Sequence, residues 1–434
     1  MALRKNQRWL TAAEKQVYID AVLKLKAEKI GTTPPDNTYD RYVKMHDDFR
    51  DAGHKGPAFF AWHREFLRRF ELELQRIMDD PTFGLPFWDW SVDQAPPTWP
   101  FTTAFLGGNG TSDPSFPGKV VDGPFAYDGP NHWTLNIFPH DDPDDRYPYL
   151  RRQFAAGAPT LPTPADVRAA LSVTPYDVDP WNEDSASGFR NMAEGFIPQA
   201  NPGVYVPKMH NRIHAWVGGT MGPPTSPNDP VFWLHHCYID KQWADWQAMH
   251  PDQQPYVPDG DARKGHNLTD PLPPWNQNTP KDVLNTWDLG YHYDTDDYLM
   301  ANDVLYPNQS IVSAIGPGGR RYSIWYAPHY TDTNNNPINN ILVFRSNQIA
   351  WERWLSTDRT QPDGWCIMQP DGNLVIYDWS DPPKVLWASN TDYNPNGYLK
   401  VEDGQLTMYQ WSDGTQIDPP WSVPPPKVGN PAKG

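Results

Sequence analysis

Six histidines in two separated triplets constrain this chain more than any other feature: His46, His54 and His63, then His210, His214 and His236. No carboxylate or thiolate recurs at equivalent spacing. Three neutral imidazoles per site suit a soft-to-borderline ion such as copper. They argue against the carboxylate-rich cages that hold iron pairs, manganese, magnesium or calcium. Two such sites side by side would make a dinuclear copper centre. His210 and His214 are four residues apart, so on a helix both project from one face and can share an ion. His236 begins a second helical stretch, HHCYIDKQWADWQAMH once His235 is included, after the Pro-Asn-Asp-Pro breaker at 227–230. His63 stands near the start of an amphipathic segment in which Phe66, Leu67, Phe70, Leu74 and Ile77 recur at helical intervals. A four-helix bundle with inward histidines is the expected scaffold. Phe59 and Phe232 each precede a candidate ligand by four residues and would set an aromatic wall beside each ion.

Two neighbours of His236 need separate treatment. His235 adjoins it, and adjacent helical residues point about 100° apart, so only one of the pair is expected to face the centre. Spacing does not choose between them. Asp240, one turn further on, is a candidate outer acceptor that orients an imidazole, with a surface ion pair as the alternative.

The segments GHKGPAFFAWHREFL, LPFWDWS, GFRNMAEG, MHNRIHAWVGGTM and SPNDPVFWLHHCYIDKQWADWQ resemble the two copper-binding regions of tyrosinases, the type 3 copper enzymes. The bacterial members are the most similar, and the likeness covers roughly the first 300 residues. The resemblance implies that His46, His54 and His63 bind one copper ion, that His210, His214 and His236 bind the other, and that His236 rather than His235 is the ligand. It also implies O2-dependent ortho-hydroxylation of monophenols and oxidation of ortho-diphenols to ortho-quinones, with O2 as co-substrate. Hydroxylation requires the phenol, with an ordinary pKa of about 10, to lose a proton near neutral pH. By resemblance, Glu194 and Asn211 hold the water that accepts it, although the stretch GFIPQANPGVYVPKM after Glu194 is longer than in similar bacterial enzymes and could re-aim the carboxylate. Ala215, small and next to His214, should leave the mouth of the site open. Fungal and plant members carry a cysteine two residues before the second histidine and join the two through a thioether; Ala52 stands there in this chain, so packing and hydrogen bonds alone must place His54. The alternative activities are those of a catechol oxidase or an ortho-aminophenol oxidase without monophenol turnover, or, outside catalysis, of an oxygen carrier or a carbohydrate-binding protein.

With 434 residues the chain is expected to be multidomain. A formal charge of −17 disfavours nucleic acid and anionic membrane surfaces as partners. Forty-nine prolines and 14% aromatic residues indicate many irregular loops pinned by rings. The two cysteines, Cys237 and Cys366, fall in different expected domains, so no structural disulfide is anticipated. The amino terminus lacks an apolar signal core and no stretch has the length of a membrane span. The chain therefore reads as soluble and cytoplasmic, with export through a missing leader or a partner left open. The need for a copper-loading partner is not legible.

Helical patterns stop after about residue 300. The expected organisation is a mainly α catalytic domain over 1–300, a linker over 301–320, an all-β domain over 321–423 and a Pro-rich tail over 424–434. Within the third region QPDGNLVIYD resembles the sugar-binding motif of bulb-type mannose-binding lectins, with weaker copies at NILVF and EDGQLTMYQ. Asn340, Asn373 and Gln405 recur at 33- and 32-residue offsets, the mark of a threefold repeat. The similar family folds as a β-prism of three four-stranded sheets. Gln369, Asp371, Asn373 and Val375 are expected to share one strand face, with Tyr377 closing a pocket for a mannose-type glycan. In the other repeats Asn336, Ile338 and Asn340, or Val401, Asp403 and Gln405, stand in those places and should abolish binding.

Overall fold

The computed structural model describes residues 2–140, 146–196, 206–250, 253–286 and 288–293, and beyond them 298–299, 304–305, 310–312, 322–331, 337–346, 352–354, 364–395, 397–402, 405–410 and 416–417. The chain forms two compact units, Met1–Tyr293 and Asp294–Gly434.

Helices that carry or support the histidines build the first unit. Helix α1 (Ala12–Ala27) opens on a capping box, in which Thr11 Oγ accepts from the Glu14 amide and the Glu14 carboxylate accepts from the Thr11 amide. Helix α2 (Thr38–Asp48) is capped by Asn37, whose side-chain oxygen accepts from the Asp40 amide at 2.8 Å. The single turn α3 (Arg50–Gly53) leads through a short loop to α4 (Ala58–Met78), which ends at Asp79 in the left-handed region. On α4 the residues Phe59, Trp62, His63, Phe66, Leu67, Phe70 and Leu74 are buried, the stripe that a 3.6-residue period requires. Helices α5 (Pro164–Leu171) and α6 (Phe189–Glu194) follow a long irregular stretch, and α7 (Met209–Val217) and α8 (Val231–Met249) complete the set. Helix α8 begins directly after Pro230, so the breaker defines its start. Phe70 of α4 stacks on Trp233 of α8 at 3.5 Å, fixing those two helices against each other.

The irregular stretch is pinned by buried polar anchors as well as rings. Arg152 is fully buried, makes two 2.8 Å bonds to Asp229 and donates to the carbonyls of Leu106 and Gly107. Each nitrogen of that guanidinium thus meets an acceptor, the condition under which a buried charge is tolerated. Strand β1 (Ala2–Arg4) pairs in parallel with β2 (Tyr291–Tyr293), so the two ends of the unit are tied together.

The second unit contains three four-stranded antiparallel sheets among the described residues. One is built from Val304–Leu305, Gly364–Met368, Leu374–Asp378 and Val385–Ala388. The second uses Tyr298–Leu299, Tyr398–Glu402, Gln405–Tyr409 and Gln416–Ile417. The third uses Ser310–Val312, Tyr322–Thr331, Pro337–Ser346 and Glu352–Trp354. Alternate residues such as Leu374 and Ile376, Leu399 and Val401, and Leu406 and Met408 enter one shared core, as period-two strands demand. Val304–Leu305 and Ser310–Val312 lie inside the stretch expected to be a linker, yet each is an edge strand. Their apolar residues Leu305 and Ile311 join the core, which a Pro/Gly/Ser-based reading of composition overlooked. The expected tail and the third-repeat residue Asp403 lie outside the described residues, as does Asn336. Cys237 and Cys366 are both free and buried. No helix among the described residues is long and apolar enough to cross a membrane.

Candidate metal centre

The six histidines come together in the first unit. His46 is on α2, His63 on α4, His210 and His214 on α7 and His236 on α8, while His54 follows α3 in extended backbone. In the second triplet the three Nε2 atoms lie 3.1 Å (His210–His214), 3.3 Å (His210–His236) and 3.3 Å (His214–His236) apart. Nitrogens about 2.0–2.1 Å from a common ion at tetrahedral angles lie about 3.3 Å from one another, so this triangle has the size of a coordination face. In the first triplet His46 and His63 Nε2 are 3.5 Å apart, and the His54 ring lies 5.1 and 4.8 Å from theirs, centroid to centroid. The triplets adjoin: His63 stacks on His236 with ring centroids 4.4 Å apart.

Hydrogen bonds select the nitrogen that is left free. The Nδ1 of His46 donates to the Pro224 carbonyl at 2.6 Å, that of His54 to Arg50 at 2.8 Å, that of His63 to Phe59 at 2.8 Å and that of His214 to Met221 at 2.7 Å. The Nδ1 of His210 donates to Asn211 Oδ1 at 2.9 Å. In these five rings Nε2 therefore keeps its lone pair, whereas the Nδ1 of His236 is buried with no hydrogen-bond partner among the described residues. Burial pushes the imidazole pKa values down, to about 4 for His54 and His214 and well below the ordinary range for His46, His63, His210 and His236. All six are neutral at pH 7, the form that binds metal. The donor set fits two ions of imidazole-preferring type.

His235 departs from the sequence reading. Its ring is buried, stacks on His210 at 5.0 Å and belongs to one group with His210, His214 and His236, whose ligand atoms all lie within 4.8 Å. Helical divergence does not separate the two neighbours because α7 lies across both. Asp240 also departs from it. Rather than orienting an imidazole, its carboxylate pairs with Arg64 and with Arg4 at 3.1 Å and accepts from the Tyr291 and Tyr293 hydroxyls. Backbone carbonyls orient His46, His54, His63 and His214, and Phe232 stacks on the His236 ring. Phe59 lies 5.1 Å from His63 and 4.9 Å from His210, and Phe232 lies 4.0 Å from His236 and 5.0 Å from His46, so each ring walls both triplets.

Glu194 ends α6, fully buried, with Oε1 accepting from the Lys55 amide at 2.6 Å and Oε2 from Arg190 at 3.0 Å. Arg190 is mainly committed to Asp177, through bonds of 2.8 and 3.0 Å. Burial therefore outweighs the shared guanidinium and pushes the Glu194 carboxyl up to about 7. A Cβ added at Gly195 would meet Lys208 O at 2.2 Å and Asn211 Cβ at 3.2 Å, so the end of α6 lies directly against the start of α7. Residues 197–205, most of the longer stretch after Glu194, are outside the described residues. His54, Asn211, His214 and Ala215 are only partly buried, which marks the side from which solvent reaches the centre.

The lectin-like motif is placed differently from expectation. Asp371 and Asn373 occupy the turn before Leu374–Asp378, where Asp371 Oδ1 accepts from the Asn373 amide at 2.9 Å. Asn373 Oδ1 accepts from Ser389 Oγ at 2.9 Å, Gln369 Nε2 donates to the Tyr377 hydroxyl at 2.8 Å, and Val375 is buried. Strand alternation fails because a hairpin turn interrupts it at Pro370–Gly372.

Residues 36–249 match the family model for the common central domain of tyrosinase. The chain is 42% identical over 293 residues to a tyrosinase of Streptomyces antibioticus, covering 66% of this chain and 97% of that protein. It is 41% identical to a tyrosinase of Streptomyces glaucescens over 304 residues, covering 68% and 100%. Grixazone synthase of Streptomyces griseus is 39% identical over 317 residues, covering 65% and 96%. Among solved structures, a polyphenol oxidase from Thermothelomyces thermophila aligns with a TM-score of 0.54 at 25% identity, covering 68% of this chain and 89% of that one.

Proposed function

The chain belongs to the tyrosinase family, and from that membership we propose that its two histidine triplets hold the family's two copper ions, His46, His54 and His63 one and His210, His214 and His236 the other. It is a copper-dependent oxidoreductase that uses O2 to hydroxylate monophenols at the ortho position and to oxidise ortho-diphenols to ortho-quinones. The diphenol-only alternatives are not favoured beside these relatives. The observation that carries the site assignment is the adjacency of two neutral imidazole clusters, with His63 stacked on His236. On this reading α2, α4, α7 and α8 form the four-helix bundle around the pair.

Bound there, the copper pair supplies the two-electron chemistry with O2 that side chains lack. The chain's own residues do the rest. Backbone carbonyls hold His46, His54, His63 and His214 in one tautomer and Asn211 Oδ1 does so for His210, so no proton competes for Nε2 in these five rings. Phe59 and Phe232 exclude water from both clusters. A phenol entering past His54 and His214 must lose its hydroxyl proton, and Glu194 is poised for that through a water shared with Asn211. Its carboxyl titrates at about 7, where a general base is most effective at neutral pH. Asn211 Oδ1 is occupied by His210, which leaves its Nδ2 hydrogens to orient the water oxygen. In the copper-loaded Asn211→Ala protein, tyrosine hydroxylation should fall on the order of 10–100-fold relative to catechol oxidation. An unchanged ratio of the two rates rejects the water-holding role.

For the second unit we propose a β-prism of the bulb-type lectin kind. Three four-stranded sheets around one core and the 33- and 32-residue recurrence support that reading. Gln369, Asp371, Asn373 and Tyr377 would meet a mannose-type glycan, with Val375 serving as packing beneath them. Retention of the whole protein on immobilised mannose, released by free mannose, tests it; flow-through at the void volume counts against it.

A further inference from the structure

Five of the six histidines stand on helices, where backbone hydrogen bonds fix their positions. His54 does not. It begins a four-residue loop between α3 and α4, and Lys55 next to it adopts the left-handed region at φ 57°. Its Nδ1 is tied to the Arg50 carbonyl, so the direction of Nε2 follows the backbone at 50–54. Ala52 leaves no covalent link to the ring.

The same loop is gripped from a segment more than two hundred residues later. Arg263 Nη2 donates to two carbonyls, those of Asp51 at 2.8 Å and His54 itself at 2.7 Å. His266 Nδ1 accepts from the Ala58 amide at 3.3 Å, which leaves the proton on Nε2, 3.2 Å from the Asp51 carbonyl. Between these anchors there is no room for a side chain at Gly56, where a Cβ would sit 2.6 Å from His266 Nδ1. The gripping segment is itself stiff. Tyr256 donates its hydroxyl proton to the His266 carbonyl at 2.8 Å, Asn267 Oδ1 accepts from the Gly260 and Ala262 amides, and Asp270 Oδ2 accepts from those of Gly265 and Asn267.

We infer that Arg263 and His266 are positioning residues for His54, a noncovalent bracket that does the work of a crosslink to that histidine. The inference rests on the reading that His54 binds one of two copper ions. Arg263 is exposed, so its replacement removes hydrogen bonds and little packing. The full-length, Cu(II)-loaded protein is challenged with excess EDTA and the copper retained is followed with time. Arg263→Ala should release one equivalent about 10–100-fold faster than wild type and the other at the wild-type rate. Arg263→Lys, which keeps a donor for the two carbonyls, should return most of the way to wild type. The copper-free Arg263→Ala protein should melt at the wild-type temperature, since only metal placement is disturbed. Release of both equivalents at wild-type rates, or equal acceleration of both, overturns the bracket. A wild-type protein that loads fewer than two coppers overturns the dicopper reading itself, and that result is separate from either outcome in the variants.

Discussion

The two histidine triplets reach one geometry by different routes. In the second, His210 and His214 project from one face of α7, and His236 meets them from α8. Its spacing is written into a helical repeat. The first takes one histidine from α2, one from α4 and one from a loop whose placement depends on Arg263, His266 and Glu194, all far away in sequence. A site built on helices is insured by local hydrogen bonds; one that includes a loop is as good as the tertiary contacts that hold the loop.

Breaking what the two sites share should have the largest effect. Asp240 on α8 joins Arg64, the neighbour of His63 on α4, and Arg4 on β1, all fully buried. Asp240→Ala leaves two buried guanidinium groups short of a partner and should destabilise the fold by about 3–5 kcal/mol, read from urea unfolding. Burial pushes the Asp240 carboxyl up, but Arg64, Arg4 and the two tyrosine hydroxyls outweigh it and leave it below the ordinary carboxylate range. Its stabilising contribution is thus present above about pH 4 and lost as pH falls through its lowered value. Asp240→Asn should therefore show a shallower acid unfolding curve. Equal tolerance of Asp240→Ala and wild type to urea would mean that the sites do not depend on a common brace.

A smaller effect should separate the sites. Glu194 hydrogen-bonds directly to the loop of the first triplet, through the Lys55 amide. Its folded pKa of about 7 lies above the unfolded value of about 4.3, so the stability it contributes is fully present below pH 4.3 and lost as pH rises through about 7. Urea midpoints at pH 5 and pH 8 should differ less in Glu194→Gln than in wild type. The same difference in both proteins would contradict the assignment of that titration to Glu194.

Legibility follows the same division. The i, i+4 pair on α7, the amphipathic stripe of α4 and the breaker before α8 are local patterns, and all three were readable from residue order. The grip on His54 was not, because Arg263 and His266 are single residues with no periodicity around them. Asp240 was misread for a related reason. A carboxylate one turn from a histidine looks like its partner until Arg4, brought in by the β1–β2 pairing, claims it. In the second unit the apolar alternation of Leu374 and Ile376 was visible, whereas the edge strands at 304–305 and 310–312 are too short to carry a pattern.

Metal analysis of the reconstituted full-length protein beside His214→Ala tests the central claim most directly. The predicted result is two coppers per chain in the wild type and one in the variant, with ortho-diphenol oxidation lost along with the second ion. One copper or fewer in the wild type, or two in the variant with oxidation intact, would contradict it.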